Sequence, residues 1–469
     1  MIFPTATFTI FFLIVMPLSW LAMPHVRLWR IFIICASLVF YGWWDWHFVF
    51  LLIGCTLWTH FWAIRISRAT QESRRRAFLT VALIGQLGTL GYFKYFDFFV
   101  NSSHNVAHAV GLGLPDWTRT IVLPVGISFY TFMAISYVVD VFRRELRPAG
   151  LLRFSAYLTF FPHLVAGPIV RGSELLPQMK TPRNPRNIDS GRAFFLIGTG
   201  LFKKVVIANY LATHIVDPVF AVPGAHSSPE IVVAVYAYAV QIYADFSGYT
   251  DMAIGLALLL GFVFPQNFNS PYAAGSLQDF WRRWHMTLSR WLRDYLYIPL
   301  GGSRKGKFRT TFNLMLTMLL GGLWHGAAWT FVFWGGLHGI GLATERWFRE
   351  RRGARHGRGH IWLRRLATFN FVCFAWIFFR SDSLALAWQM ITGLFTRWGE
   401  PAPLVTAGVV VWIAVGIGSQ YLPARIPDGV MERLSRLSLA WQSLALGATL
   451  MLANAMGPQG VAPFIYFRF

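Results

Sequence analysis

Apolar residues run along this chain in long blocks, and charge is confined largely to the gaps between them. Met1–Val26, Trp46–Ile64, Thr120–Val139, Thr310–Thr344, Ala402–Ala424 and Leu437–Phe467 contain no Asp, Glu, Lys or Arg. Each approaches or exceeds the roughly 20 residues a helix needs to cross a bilayer. The pattern predicts an all-α, polytopic membrane helical bundle, organised as a single integral-membrane domain over residues 1–469. No repeat, low-complexity tract or soluble domain interrupts it. The first block has no basic residue before it and no small-residue cleavage pattern after it, so it reads as a retained helix and not a signal peptide.

The basic gaps orient the blocks. Arg27 and Arg30, then Arg65, Arg68 and Arg74–Arg76, then Arg143, Arg144 and Arg147 follow successive apolar runs. The positive-inside rule places these gaps in the cytoplasm and the N-terminus outside. Ile31–Trp44 leads outward to "WWDWH", an aromatic cluster suited to the membrane interface, and Ala77–Phe93 leads outward again.

The alternation then breaks. Phe154–Val170, containing "FFPHLVAGPIVR", lies between Arg153 and Arg171, so both flanks read as cytoplasmic. Pro162, Gly167 and Pro168 would interrupt a helix there, which predicts a re-entrant segment. Thr310–Thr344 is likewise bracketed by "GGSRKGKFR" and by eight arginines between Arg346 and Arg365. Its 35 residues fall short of the roughly 40 that two full crossings require. The expectation is a short hairpin of two half-depth or tilted helices, its glycines permitting close approach, with His325 deep and near the turn. A third segment, "DFWRRWHMTLSRWLRDYLYIPLGG" (Asp279–Gly302), is too charged to span. Read as one amphipathic helix, it puts Trp281, His285, Leu288 and Leu292 on one stripe, and Arg282, Arg283, Arg290 and Arg293 on the remaining surface.

Composition narrows the class. Only 13% of the 469 residues are charged, against about 25% in soluble domains. The 43 Phe and 21 Trp residues exceed what a soluble domain of this size would hide. A net charge of +22 would suit nucleic acid, but the Lys and Arg residues occupy short loops between apolar runs, which excludes that reading. Cys35, Cys55 and Cys373 lie inside apolar runs and read as small packing residues.

Candidate chemistry centres on histidines. His325 lies in "GGLWHGAAW", where an imidazole is costly unless partnered or used. Ionisable groups inside membrane proteins are functional candidates, and an apolar surround keeps an imidazole neutral and able to accept a proton; the bland alternative is a packing histidine bonded to a carbonyl. His285 reads either as an interfacial packing residue beside Trp281 or as a second functional imidazole. His338 reads as bonded within the hairpin, and His163 as similar. No carboxylate or cysteine spacing accompanies them, so no metal is expected. Asp245 and Asp251, in "YADFSGYTDMAIGLALLLGF", need partners, with Lys203 and Lys204 as candidates; they form structural ion pairs or orient reacting groups. No Walker loop, GxGxxG element or nucleophile elbow is present, and "DFSGY" lacks the α/β context of an elbow.

"GGLWHGAAW", preceded by "DFWRRWHMTLSRWLRDYLYIPLGG" and "QNFNSPYAAGSLQDFW", resembles the membrane-bound O-acyltransferase (MBOAT) superfamily. The likeness is to the bacterial branch that acetylates exported polysaccharides, of the alginate and cellulose type. It extends from "LPVGISFYTF" through "FPHLVAGPIVR" to the terminal "FIYFRF". The resemblance implies a helical bundle with re-entrant segments around a central tunnel. It places the family's invariant histidine at His325, and at His285 a second position that is His in this branch and Asn in the sterol and diacylglycerol enzymes. Trp281, Arg282, Arg283, Trp284, Asn269, Trp324, Asp245 and Asp251 become candidates for the donor tunnel.

The implied reaction is acyl transfer without a bound cofactor, from acetyl-coenzyme A or another acetyl thioester. His325 would act as general base or acyl carrier. The basic helix and Arg304–Arg309 would attract the anionic donor. The implied setting is the bacterial inner membrane, crossed many times and in contact with lipid, with periplasmic partner proteins receiving the acetyl group. The chain is short for the alginate type, which leaves the polymer open. Two rivals are a D-alanyl or lipid acyltransferase of the same superfamily and a proton-coupled transporter or flippase; the aromatic amphipathic segment and the lack of inverted repeats argue against transport.

Overall fold

The computed structural model describes residues 1, 3–112, 119, 121–352 and 360–456. Every regular element among them is a helix. Five are long and apolar enough to cross a membrane, and a sixth crossing arises if a pair bent by 89° is one span. The protein is an all-α, multi-pass membrane protein. The terminal "FIYFRF" lies outside the described residues, as do Arg355 and Arg358 of the second basic loop.

The chain divides into two compact units, Met1–Ile188 with Leu256–Pro265, and Asp189–Gly255 with the chain from Gln266 onward. The first begins with α1 (Ala6–Ala22), α2 (Val26–Gly42) and α3 (His47–Arg68). Next, α4 (Glu72–Leu90) runs through a π-helical turn into α5 (Phe96–Ala109), and α6 (Ile127–Phe142) follows. Cys55 is buried as expected, whereas Cys35 faces outward from α2. The segment expected to be re-entrant forms α7 (Leu151–Thr159) and α8 (Phe161–Leu164), broken at Phe160. Nine residues at 1.5 Å each reach about 14 Å, so neither piece can cross a bilayer. His163 is fully buried, and its Nε2 donates to the Tyr157 carbonyl at 2.9 Å. A short α9 (Gly172–Leu175) follows.

The second unit opens with a long interrupted span. It comprises α10 (Ser190–Leu201), a π-helical stretch (Phe202–Ala208), α11 (Asn209–Leu211), a second π turn and α12 (Asp217–Ala221). It packs on α13 (Ser228–Leu259), most of which belongs to this unit. Gly200 and Gly248 sit face to face, and a Cβ on either would come within 2.5 Å of the other's carbonyl oxygen. This close approach brings Lys203 Nζ to 2.7 Å from Asp251 and pairs the buried Lys204 with the buried Asp245.

Four charge-bearing crossings depart from the charge-free blocks of the sequence: Glu72–Ala109, Ile361–Arg380, Ser190–Ala221 and Ser228–Leu259. Ion pairing within the last two is what makes charge tolerable there. Conversely, the block Met1–Val26 yields a 17-residue helix, and Thr120–Val139 one of 16 residues.

The expected single helix over Asp279–Tyr297 is three pieces: α14 (Leu277–Arg283), α15 (Met286–Leu292) and a π turn (Arg293–Tyr297). The expected hairpin is present as α16 (Gly306–His325) and α17 (Trp329–Arg352). Its arms are longer than half-depth, because each extends through its basic flank. A Cβ on Gly322 would strike the Phe331 carbonyl, and one on Gly335 the Met318 carbonyl, so the glycines set the separation of the arms. The unit is completed by α18 (Ile361–Arg380), α19 (Leu384–Thr396), α20 (Ala407–Gly418), α21 (Arg425–Ser435) and α22 (Leu439–Met456).

Breaking one buried pair strands a charge. Lys204→Met should therefore destabilise the protein by about 3–5 kcal/mol, and adding Asp245→Leu should restore most of that. Thermal unfolding in detergent, followed by tryptophan fluorescence, reads both; a double variant no more stable than the single one would refute the pairing as the cause.

Candidate active site

The chain from Gln266 to Ser270 runs beside the break between α14 and α15. The Asn269 N–H donates to the Arg283 carbonyl at 2.9 Å, and the Met286 N–H to the Asn267 carbonyl at 2.9 Å. Between these contacts His285 takes a left-handed backbone conformation, φ 41° and ψ 54°. That conformation is uncommon for a residue with a Cβ, and it ends one helix and starts the next.

Asn267 holds this turn through its side chain. Its Oδ1 accepts from the Thr287 N–H at 3.1 Å, from the Thr287 hydroxyl at 2.9 Å, and faces His285 Nδ1 at 3.2 Å. A backbone N–H can only donate, so the atom it meets is the carboxamide oxygen. His285 Nδ1 must then carry the proton, and Nε2 carries the lone pair. Nε2 is buried and has no hydrogen-bond partner among the described residues. The ring is fully buried, and that burial pushes its pKa down to about 3, so it is neutral at physiological pH.

His285 packs on Phe246 of α13 at 4.7 Å and faces Trp324 at 5.9 Å and His325 at 6.4 Å between ring centroids. His325 is the last residue of α16, buried at the hairpin turn among Trp324, Trp334 and Phe379, with centroids 5.0–5.2 Å away. The C-terminal end of a helix carries the negative end of its dipole and favours a cation there.

His338 bonds outside the hairpin. Its Nδ1 accepts the Trp281 indole N–H of α14 at 3.3 Å. Since indole can only donate, the His338 proton is on Nε2, the opposite tautomer to His285. Trp334 lies between the two arrangements, 4.9 Å from His338 and 5.1 Å from His325. The expected stripe joining Trp281 and His285 is absent, because the left-handed turn sends the two side chains to different neighbours. Trp284 is buried, stacked on Phe280 and packed against Trp376.

Trp281 is also one wall of a cavity of about 510 Å³. Arg282, Arg290, Arg293, Arg346 and Arg349 line it, with Ser289 and Glu345. Arg283 is not among them: its Nε donates to Asp279 Oδ1 at 2.8 Å, one helical turn back. Asn269 is exposed and contributes its backbone, while its neighbour Asn267 is buried beside His285. Asp245 and Asp251 are engaged by lysines, and Phe246, the residue after Asp245, packs against His285.

Sequence reasoning thus missed Asn267, Thr287, Trp334 and the α17 arginines as neighbours of the site. The paired asparagines of "QNFNS" were the available signal, but only tertiary contacts separate Asn267 from Asn269. Among the described residues no cluster of three His, Cys, Asp or Glu side chains is placed to hold a metal ion.

Residues 12–388 match the model of the MBOAT, membrane-bound O-acyltransferase family. A probable alginate O-acetylase, AlgI, of Azotobacter vinelandii is 42% identical, with 100% of both chains covered. A peptidoglycan O-acetyltransferase of Helicobacter pylori is 37% identical over 78% of this chain and 73% of its own. A teichoic acid D-alanyltransferase of Streptococcus thermophilus is 28% identical over 59% of this chain and 70% of its own. The match spans the turn that carries His285 and the hairpin that carries His325, and the chain belongs to the membrane-bound O-acyltransferase family.

Proposed function

We propose that this enzyme passes acetyl groups from a cytoplasmic thioester donor, acetyl-coenzyme A or an equivalent, across the bacterial inner membrane for O-acetylation of an exported polysaccharide of the alginate or cellulose class. The observation that carries the reading is the pair of buried imidazoles, His285 and His325, whose ring centroids are 6.4 Å apart. The resemblance to alginate and peptidoglycan O-acetylating proteins supports acetyl as the group and a polysaccharide as the acceptor. D-alanyl transfer is the weaker alternative, since that relative is less similar and less fully covered.

His325 removes the proton from the acceptor hydroxyl as that oxygen attacks the thioester carbonyl. The helix end stabilises the imidazolium that forms, and the thiolate leaves and takes up the proton. The lone pair on His285 Nε2 receives a hydrogen bond from the hydroxyl or from an amide N–H of the donor, and orients it. The arginine-lined cavity attracts the donor's phosphates, with Arg282 in and Arg283 out of contact. Periplasmic partner proteins carry the acetyl group onward. A second reading exchanges the histidines: Asn267 fixes the His285 tautomer as a carboxylate fixes a triad histidine, which suits His285 to the role of base.

His325→Ala should accumulate normally and lose polymer acetylation by about 10²–10⁴-fold, with His285→Ala losing less; the reverse order would favour the second reading, and wild-type acetylation by a folded His325→Ala protein would refute both. Asn267→Leu, which removes the acceptor shared by Thr287 and His285 Nδ1, should lower stability by roughly 1–3 kcal/mol and acetylation with it, measured by thermal unfolding beside polymer acetyl content. Arg282→Gln should raise KM for the thioester several-fold while Arg283→Gln leaves it near wild type; equal effects in a steady-state assay would remove the distinction.

A further inference from the structure

A second cavity lies in the first unit, where α3, α4 and the start of α7 meet. It measures about 810 Å³. Part of its lining is apolar, formed by Leu57 and Phe61 of α3, Phe78 of α4 and Leu151 of α7. Its rim is cationic, formed by Arg65 and Arg68 in the last turn of α3 and by Arg74 in the first turn of α4. All three arginines are exposed, and no carboxylate among the described residues lies within ion-pairing distance of them. The neighbouring Glu72 is engaged by Arg75 and Arg76.

The place of this cavity along α3 says what reaches it. Trp43, Trp44 and Trp46, each more than 60% exposed, stand at the other end of the helix, where an interfacial aromatic belt would sit. The 22 residues of α3 rise about 33 Å, close to the thickness of a bilayer core. Arg65 and Arg68 therefore stand at the opposite headgroup layer, on the basic, cytoplasmic side. Leu57 and Phe61 are exposed residues of a crossing helix, so the apolar part opens toward acyl chains. On the inner wall His60 stacks on Phe154, and its Nδ1 is buried with no hydrogen-bond partner among the described residues.

We infer that this cavity is a binding site for one anionic phospholipid of the cytoplasmic leaflet, with its phosphate held by Arg65, Arg68 and Arg74 and its acyl chains lying along Leu57 and Phe61. The chemistry matches part by part. A phosphodiester is an anion suited to arginine forks, and the chains take the apolar floor. A soluble phosphate would use the rim and leave the floor exposed, so the lipid is the occupant.

The test uses the full chain, delipidated in detergent and offered equal amounts of phosphatidylglycerol and phosphatidylcholine with identical chains, with bound lipid counted by native mass spectrometry. Phosphatidylglycerol should be retained more than tenfold over phosphatidylcholine. Replacing Arg65, Arg68 and Arg74 by Gln together should bring that preference close to one, the loss of any single one of them lowering it by up to about fivefold. The same change at Arg27, Arg425 and Arg433, exposed arginines elsewhere, should leave it intact. If the triple variant does not fold, Arg68→Gln alone reads the same effect. Equal retention of the two lipids, an equal effect of the two arginine sets, or competition by millimolar glycerol 3-phosphate as strong as that of the lipid would overturn the assignment.

Discussion

Two carboxylates inside a membrane-crossing helix must be neutralised locally, and the second unit is arranged around that requirement. A lone ionised Asp in an apolar interior is too costly to persist, so α13 can cross only if a neighbour brings cations to Asp245 and Asp251. Lys203 and Lys204 do so from the π-helical stretch after α10. They reach because glycines at 200 and 248 let the helices nearly touch. The pairing fixes the rotation of α13, and that rotation presents Phe246 to His285. An electrostatic constraint in one place becomes a packing wall in another.

The histidine site rests on a second matching of polar groups. One carboxamide oxygen gathers the Thr287 N–H, the Thr287 hydroxyl and the His285 ring. Without it the break between α14 and α15 would leave buried donors unmet. The hairpin answers the same demand sterically, because its glycines hold α16 and α17 close enough for Trp334 to lie against both His325 and His338.

Much of this was legible in the sequence where local pattern and physics agree. The hairpin, the burial of His325 at its turn, the broken segment before Val170 and the lysine partners of Asp245 and Asp251 all follow from charge, glycine and proline placement. What was not legible depended on tertiary contacts. Helical periodicity over Asp279–Tyr297 is real, yet the chain breaks at His285 because Asn267 and Thr287, twenty residues apart, meet there. Nor does local sequence say that Asn267 turns inward while Asn269 turns out. Crossings such as Ser228–Leu259 escaped a search for charge-free runs because their charges cancel in pairs, which composition by itself does not register.

The left-handed turn at position 285 also bears on how such a protein can vary over evolutionary time. Most side chains pay for that backbone conformation through a clash of Cβ with the neighbouring carbonyl, while asparagine, aspartate, histidine and glycine are tolerated best. Only two of those four present a neutral group that can both donate and accept a hydrogen bond: histidine and asparagine. The resemblance noted in the sequence places these same two residues at this position, in different branches of the superfamily. A branch can thus exchange an imidazole for a carboxamide in one substitution without rebuilding the turn, so the backbone filters the alphabet before chemistry selects from it.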